Sequence, residues 1–154
     1  MKILKTGALC VLTCLCYAHA SAQSLSPVNE PDYNKPKVFA DLPNKMGLNA
    51  QSLDALLNFE VGGKVQYAIA PAFNFQGVVV SKSDAADLSS KTVVIKSVNR
   101  QGATLTFTRN LNADGTYTYR GRIISFKHGD AFEVTEDNGQ LVLLKKSLYE
   151  MFNE

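Results

Sequence analysis

The sequence predicts a mainly all-β protein, an antiparallel meander of about seven strands that forms a barrel or a strongly curled sheet. From Lys64 onward, apolar residues alternate with polar ones over short runs rich in Val, Ile, Thr, Phe and Tyr, which is the pattern of half-buried strands. Short turns separate these runs. A short helix is expected before them, and the chain is expected to end in a short helix or a last strand.

The predicted N-terminal helix covers residues 51–58, where Leu53, Leu56 and Leu57 fall on one face. Asn49 precedes it and is a residue type that caps a helix N-terminus. Residues 38–43 are more apolar than the chain before them, and we expect them on the surface of the domain.

The strand candidates follow one another with short connections that suit sequential antiparallel pairing. They are residues 65–69, 73–81, 92–98, 103–108, 116–127, 132–135 and 141–144. Asn138-Gly139 is the strongest turn, because both positions of a two-residue type I′ turn need positive φ. The second, third and last candidates are apolar on both faces, which favours closure or a covered second face.

Residues 1–22 have the pattern of a secretory signal peptide. Lys2 and Lys5 precede an apolar run at 7–17, and small residues follow it. Cleavage is expected after Ala22, with cleavage after Ala20 as the alternative. A lipid anchor is the other hypothesis, but no cysteine directly follows a suitable small residue. The apolar run is shorter than the roughly 20 residues of a membrane-spanning helix.

The chain after the predicted cleavage site divides into a leader and one domain. Residues 23–37 are polar and contain three prolines, which predicts a flexible or extended leader. Residues 38–154 then form a single β-rich domain. We therefore expect an exported protein, either periplasmic or extracellular.

Cysteine and charge exclude several function classes. Cys10, Cys14 and Cys16 all lie in the predicted signal peptide, so the mature domain has no disulfide, cysteine nucleophile or Cys-ligated metal. Two of the 16 basic residues are also removed, which leaves 14 against 14 acidic ones. A neutral domain lacks the usual basis for nucleic-acid binding, and no cofactor is expected.

The candidate ligand-binding residues are aromatic and basic. Phe73 and Phe75 share a strand face and would line an apolar cavity if the interior were roomy, although a filled core is the favoured interpretation. A second set, with tyrosines on one strand face and arginines on the other, suits contact with a peptide or sugar, although core tyrosines with solvated arginines are favoured. This second set is Tyr117, Tyr119, Arg120 and Arg122.

Metal and catalytic patterns are weak. Asn110, Asn112 and Asp114 precede a glycine as in a calcium loop, but Gly121 stands where an EF-hand needs its bidentate acid, so a hairpin turn is favoured. His128 is expected in a solvated turn, without a serine context for a triad. An acidic run near a turn is the remaining candidate for acid–base catalysis, and solvated acids are favoured there. That run is Glu133, Glu136 and Asp137.

Residues 117–154 resemble small, uncharacterised exported bacterial proteins that are β-rich. The resemblance is carried by Y-x-G-R-I-I at 119–124, H-G-D at 128–130 and K-K-x-x-Y at 145–149, with further likeness at 39–43 and 93–97. The G-R-I strand followed by an acidic one is also similar to β-rich propeptides of secreted zinc metalloproteases, although no cysteine-switch residue is present. The first resemblance implies no activity.

Four functions follow as hypotheses, and they fall into three classes: a binding domain, a propeptide or inhibitor, and an enzyme. The leading one is an exported, non-enzymatic binding or accessory domain, whose partner is an unknown protein, a peptide or a small apolar ligand. The alternatives are a propeptide-like or inhibitor module for an exported protease, and a small barrel that binds an apolar molecule. An enzyme that uses carboxylates or His128 is the third class of function.

Overall fold

One antiparallel sheet dominates the computed structural model, which describes residues 34, 36–83 and 89–152. Within those ranges the sheet has eight strands. They are β1 (Lys45–Gly47), β2 (Lys64–Ala70), β3 (Phe73–Lys82), β4 (Ser90–Ser97), β5 (Ala103–Leu111), β6 (Tyr117–Ser125), β7 (Asp130–Asp137) and β8 (Gln140–Ser147). The helices are α1 (Ala50–Leu56) and α2 (Leu148–Phe152), and a 3-10 turn covers Phe126–His128.

The strands from β2 to β8 form a meander, in which each strand pairs with the next one along the chain. β1 pairs with β8, so β1 and β2 are the two edge strands of the described sheet, which curls into a half-barrel. The all-β prediction is confirmed, in its curled-sheet form and with both short helices. β1 was not predicted, because three residues with one buried side chain are too few to show an alternation.

The concave face of the sheet holds the core. Ile95, Leu105, Ile123 and Phe132 lie opposite one another on four successive strands, and all four side chains are buried. Rows of this kind result from the period of two, which sends alternate side chains to the same face. Aromatic rings fill the centre, since Phe132 lies 5.9 Å from Phe73, centroid to centroid.

Helix α1 covers part of this face with Leu53 and Leu56, which are buried. Its N-cap is Asn49, as predicted, and the Asn49 side chain accepts a hydrogen bond of 2.8 Å from the backbone N–H of Gln51. None of the described helices is long and apolar enough to cross a membrane.

Residues 37–44, the N-terminal strap, cover another part of the concave face. Their prediction as a surface segment was wrong for two side chains, because Phe39 and Leu42 are buried in the core. The backbone N–H of Phe39 donates to Asp130 at 2.9 Å, and the Lys145 ammonium donates to the carbonyl of Leu42. A buried carboxylate needs a hydrogen-bond partner, and the Phe39 N–H supplies one to Asp130. The same bond holds the strap against the sheet.

The turns and the C-terminus settle two sequence predictions. Asn138 and Gly139 both have positive φ, at 51° and 74°, which confirms the tight hairpin turn between β7 and β8. Of the two C-terminal alternatives, a short helix and a last strand, the chain forms the helix, α2. Its Leu148 packs against Ile124 and Ala131 outside the main core. The predicted signal peptide and nearly all of the predicted leader lie outside the described residues.

Candidate functional site

Strands β6 and β7 separate part-way along their length. They pair from Ser125, opposite Asp130, as far as Gly121, opposite Val134. Beyond that point residues 117–120 pair with β5 and residues 135–137 pair with β8, but the two segments do not pair with each other. They border a cleft of about 550 Å3, which we call the β6–β7 cleft. Its size falls within the roughly 300–1,000 Å3 that is typical of ligand sites.

Gly121 marks the last paired position before the cleft. A Cβ atom there would lie 3.1 Å from the Thr106 carbonyl oxygen, 3.1 Å from a Val134 methyl and 3.2 Å from the Phe107 ring. These approaches are tighter than ordinary van der Waals contact, so the absence of a side chain allows β5, β6 and β7 to stay close at this point. On the cleft side of Gly121, the Tyr119 ring stacks on Phe107 with the centroids 6.1 Å apart.

Two tyrosines line the concave side of the cleft, and each is held by a neighbour. The Tyr119 hydroxyl donates to Asp54 of α1 at 3.4 Å, and burial together with the Asp54 charge raises the pKa of Tyr119. Tyr117 is exposed, and the guanidinium carbon of Arg109 lies 4.3 Å from its ring centroid. Both rings therefore offer a fixed aromatic surface.

Arg109 and Asp54 support that surface from behind. Arg109 Nη1 lies 3.2 Å from Asp54 Oδ1, a buried oxygen that lacks an aligned hydrogen bond within the described chain. The contact is thus a charge pair rather than a directed hydrogen bond. It ties α1 to the sheet beside the tyrosines, and neither residue was singled out from the sequence.

Arg120 and Arg122 line the convex side of the cleft, where both are exposed. Neither forms an ion pair within the described part of the chain. Arg122 lies opposite Glu133 in the register, but the Glu133 carboxylate pairs with Lys146 at 3.0 Å. The two guanidinium groups are two residues apart on one strand and remain available to an anionic group.

The register of β6 with β5 confirms the prediction that the tyrosines and the arginines of β6 lie on opposite faces of the strand. Tyr119 lies opposite Arg109, which is on the concave side, whereas Arg120 and Arg122 lie opposite Thr108 and Thr106, on the convex side. All four predicted residues nevertheless line the same cleft, because it opens at an interruption of the sheet where both faces are within reach.

Phe73 and Phe75 do not join this site. Both rings are fully buried, 5.9 Å apart between centroids. Phe73 also packs against Phe39 of the strap, at 6.1 Å. These contacts place both phenylalanines in the aromatic core of the concave face, and neither of them lines the cleft.

The calcium-like residues form a hairpin turn between β5 and β6. The Asn112 side-chain amide donates to the hydroxyls of Thr116 and Thr118, each at 2.9 Å. Asp114 accepts the Thr116 hydroxyl at 2.6 Å and its backbone N–H at 2.9 Å, and these bonds lower the pKa of Asp114. Asn110 pairs with Thr118 in the ladder. Across the described residues, no three His, Cys, Asp or Glu side chains come together in a metal-binding arrangement.

The acidic run is distributed along β7. Glu133 and Glu136 line the β6–β7 cleft, whereas Asp137 pairs with Lys45 of β1. His128 is half-buried rather than fully solvated, and its ring bonds to Ser125 outside the cleft. The structure thus brings Glu133 and Glu136 to the tyrosine–arginine site and keeps His128 and Asp137 away from it.

Neither a protein-family model, nor a curated protein, nor a solved structure matches this chain. The residues that line the β6–β7 cleft are therefore the basis for a proposed function. They combine aromatic surface, two unpaired guanidinium groups and two strand segments that are each paired on one side.

Proposed function

We propose that this chain is an exported, non-enzymatic binding domain that holds an extended segment of a partner protein in the β6–β7 cleft. The observation that carries the proposal is the separation of the two strands, which leaves residues 117–120 and 135–137 facing each other without mutual pairing. An extended peptide can add to such a segment through main-chain hydrogen bonds, which supply affinity without requiring a particular sequence.

Side chains of the cleft supply the specificity. Tyr117 and Tyr119 give aromatic contact area at a small cost in conformational entropy, as hot-spot residues of interfaces do. Arg120 and Arg122 are separated by one residue, so their side chains project on the same side of the strand. A bound strand with acidic residues at the same spacing would place one carboxylate near each guanidinium.

The acidic residue nearest these arginines favours a binding role over acid–base chemistry. The carboxylate of Glu133 is already engaged by Lys146 at 3.0 Å, so it serves as an ion-pair partner within the sheet. The raised pKa of Tyr119 keeps its hydroxyl protonated at neutral pH. These groups are suited to fix a ligand rather than to exchange protons with it.

A binding assay on designed peptides tests the proposal. Fluorescence anisotropy would compare a labelled peptide of alternating Glu and Val with one of alternating Lys and Val. The acidic peptide is expected to bind more tightly. We also expect the double substitution of Arg120 and Arg122 by Ser to weaken its binding by about tenfold or more.

Lys96→Ser is the matched control, because Lys96 is also an exposed cation on the convex face, on β4. It should leave the affinity unchanged. Hydrogen exchange in the complex should slow at residues 117–120 or 135–137. Equal binding of the two peptides, or an equal effect of the control substitution, would refute the proposed site.

A further inference from the structure

We propose that a second site, the pocket beside His128, binds a small organic carboxylate. The pocket has a volume of about 590 Å3 and lies between the β4–β5 turn, the 3-10 turn after β6 and the N-terminal strap. It is separate from the β6–β7 cleft and shares no lining residue with it.

The imidazole of His128 is held in place by a serine. Ser125 Oγ lies 2.8 Å from His128 Nδ1, and Ser125 is fully buried. Gly102 lies directly against this pair, because a Cβ atom there would be 3.6 Å from Ser125 Oγ and 3.9 Å from His128 Cε1. The ring is thus fixed by a hydroxyl that has no access to solvent.

This arrangement lets a neutral histidine donate a hydrogen bond. When the Ser125 hydroxyl donates to Nδ1, the ring proton must reside on Nε2. Nε2 has no partner within the described residues, and His128 is one of the residues that line the pocket. A carboxylate would select this tautomer, because its oxygens only accept hydrogen bonds.

The charges around the pocket favour a monoanion. Arg100 uses Nη1 and Nη2 to hold Asp41, at 2.7 and 2.6 Å, and Nη1 also donates to the strap at the Val38 carbonyl, at 2.9 Å. Its Nε–H has no partner within the described chain. Lys127 is exposed at the rim without an ion pair in that same part of the chain.

Two cations line the pocket, Arg100 and Lys127. Arg100 is paired with Asp41, whereas Lys127 has no ion pair within the described residues. The one uncompensated positive charge of the lining matches a single carboxylate better than a dianionic phosphate.

Two valines give the pocket an apolar flank. Val38 of the strap is half-buried, and Val98 is 58% exposed at the end of β4. An exposed valine next to an imidazole donor suits a ligand with one charged end and an apolar body. We therefore expect benzoate to bind better than acetate, which has almost no apolar surface.

NMR titration of the full chain with sodium benzoate tests this site. We expect shifts at the Gly102 amide and at the His128 ring, whose nitrogen shifts should report the Nε2–H tautomer in the complex. Benzamide has nearly the same shape without the charge, and it should bind at least about tenfold more weakly.

Three substitutions distinguish benzoate binding in the pocket from nonspecific binding. His128→Ala should weaken benzoate binding by about tenfold, and Lys127→Gln by about two- to threefold because that charge is solvated. Lys96→Gln should have no effect, because Lys96 lies on the convex face and does not line the pocket. The proposal is overturned if Gly102 and His128 do not shift, if benzamide binds as well as benzoate, or if the Lys96 and Lys127 variants weaken binding equally. Lys127 is exposed, so its variant remains informative even if His128→Ala does not fold.

Discussion

The two ends of strand β6 have opposite properties. At the closed end, residues 121–125, the strand pairs on both sides, and Ile123 and Ser125 are fully buried. At the open end, residues 117–120, it pairs on one side only, and Tyr117 and Arg120 are exposed. One continuous strand with one alternation therefore serves both the core and a surface site.

The difference shows that flanking strands, rather than the pattern within a strand, decide which role a residue takes. A buried side chain at the closed end contributes to stability through the area it removes from water. An exposed side chain at the open end, such as Tyr117, contributes little in this way, but the backbone beside it can pair with another chain. The comparison predicts that substitutions at the two ends separate stability from binding.

Ile123→Ala at the closed end should give the largest loss of stability. The side chain is fully buried opposite Leu105 and Phe132, so its truncation leaves a cavity. We expect the free energy of unfolding to fall by about 2–5 kcal/mol in urea denaturation. Tyr117→Ala at the open end should change it by less than about 0.5 kcal/mol, since the ring is exposed, while weakening the binding of the acidic peptide. Equal destabilisation by both substitutions would contradict the division of the strand.

Gly121→Ala tests the boundary between the two ends. The added Cβ atom meets the Thr106 carbonyl and the Val134 and Phe107 side chains, and these neighbours must shift. We expect a loss of about 1–3 kcal/mol in the free energy of unfolding.

Gly47 of β1 is the matched control for that substitution, because a Cβ atom there has no neighbour within 4 Å and its φ is not positive. Gly47→Ala should be neutral or slightly stabilising, since it restricts the unfolded chain. If both alanines had the same effect in urea denaturation, close packing at Gly121 would not explain where the strands separate.

Asp54→Asn should lower the pKa of Tyr119 at the open end. Burial is the main cause of the raised pKa, and the negative charge of Asp54 is the next, because it disfavours a phenolate. Removing the charge leaves burial, so the pKa should fall without reaching that of a free tyrosine. Ultraviolet titration would measure it, with Tyr119→Phe identifying the signal. An unchanged pKa of Tyr119 would mean that α1 does not hold the Asp54 carboxylate close to the Tyr119 hydroxyl.

Local patterns in the sequence were enough to predict much of the fold. The alternation in residues 103–108, the turn at Asn138-Gly139 and the cap at Asn49 each depend on neighbours within a few positions. Steric and hydrogen-bonding rules act directly at that range. The same rules predicted that the tyrosines and arginines of β6 lie on opposite faces.

Features that depend on distant partners were not predictable in this way. Phe39 packs against Phe73 and Phe132, and its backbone N–H bonds to Asp130, 91 positions away. Residues 38–43 contain no period that indicates these contacts. The separation of β6 from β7 depends on residues 135–137 pairing with β8 alone. The predicted strand 116–127 likewise extends too far, since a 3-10 turn begins at Phe126 and presents His128 to its pocket.

The smallest effect is expected from the ion pair that fastens the strap beside the closed end. The hydrogen bond from Arg100 is the main cause that lowers the pKa of Asp41 below 3.8. Because the folded-state pKa is the lower one, Asp41 stabilises the fold above its unfolded pKa of about 3.9. This contribution is lost as the pH falls through the folded-state value. Asp41 is 61% exposed, so we expect less than about 1 kcal/mol.

A double-mutant cycle with Asp41→Asn and Arg100→Gln isolates this pair, because the Arg100 bond to Val38 is lost in both halves of the cycle. Urea denaturation at neutral pH should give a favourable coupling energy, which should disappear once the pH is well below the folded-state pKa of Asp41. A coupling energy that persists in acid would show that the strap is held by contacts other than this charge pair. The strap would then be fastened beside the closed end by the bonds of its backbone to Arg100, Asp130 and Lys145.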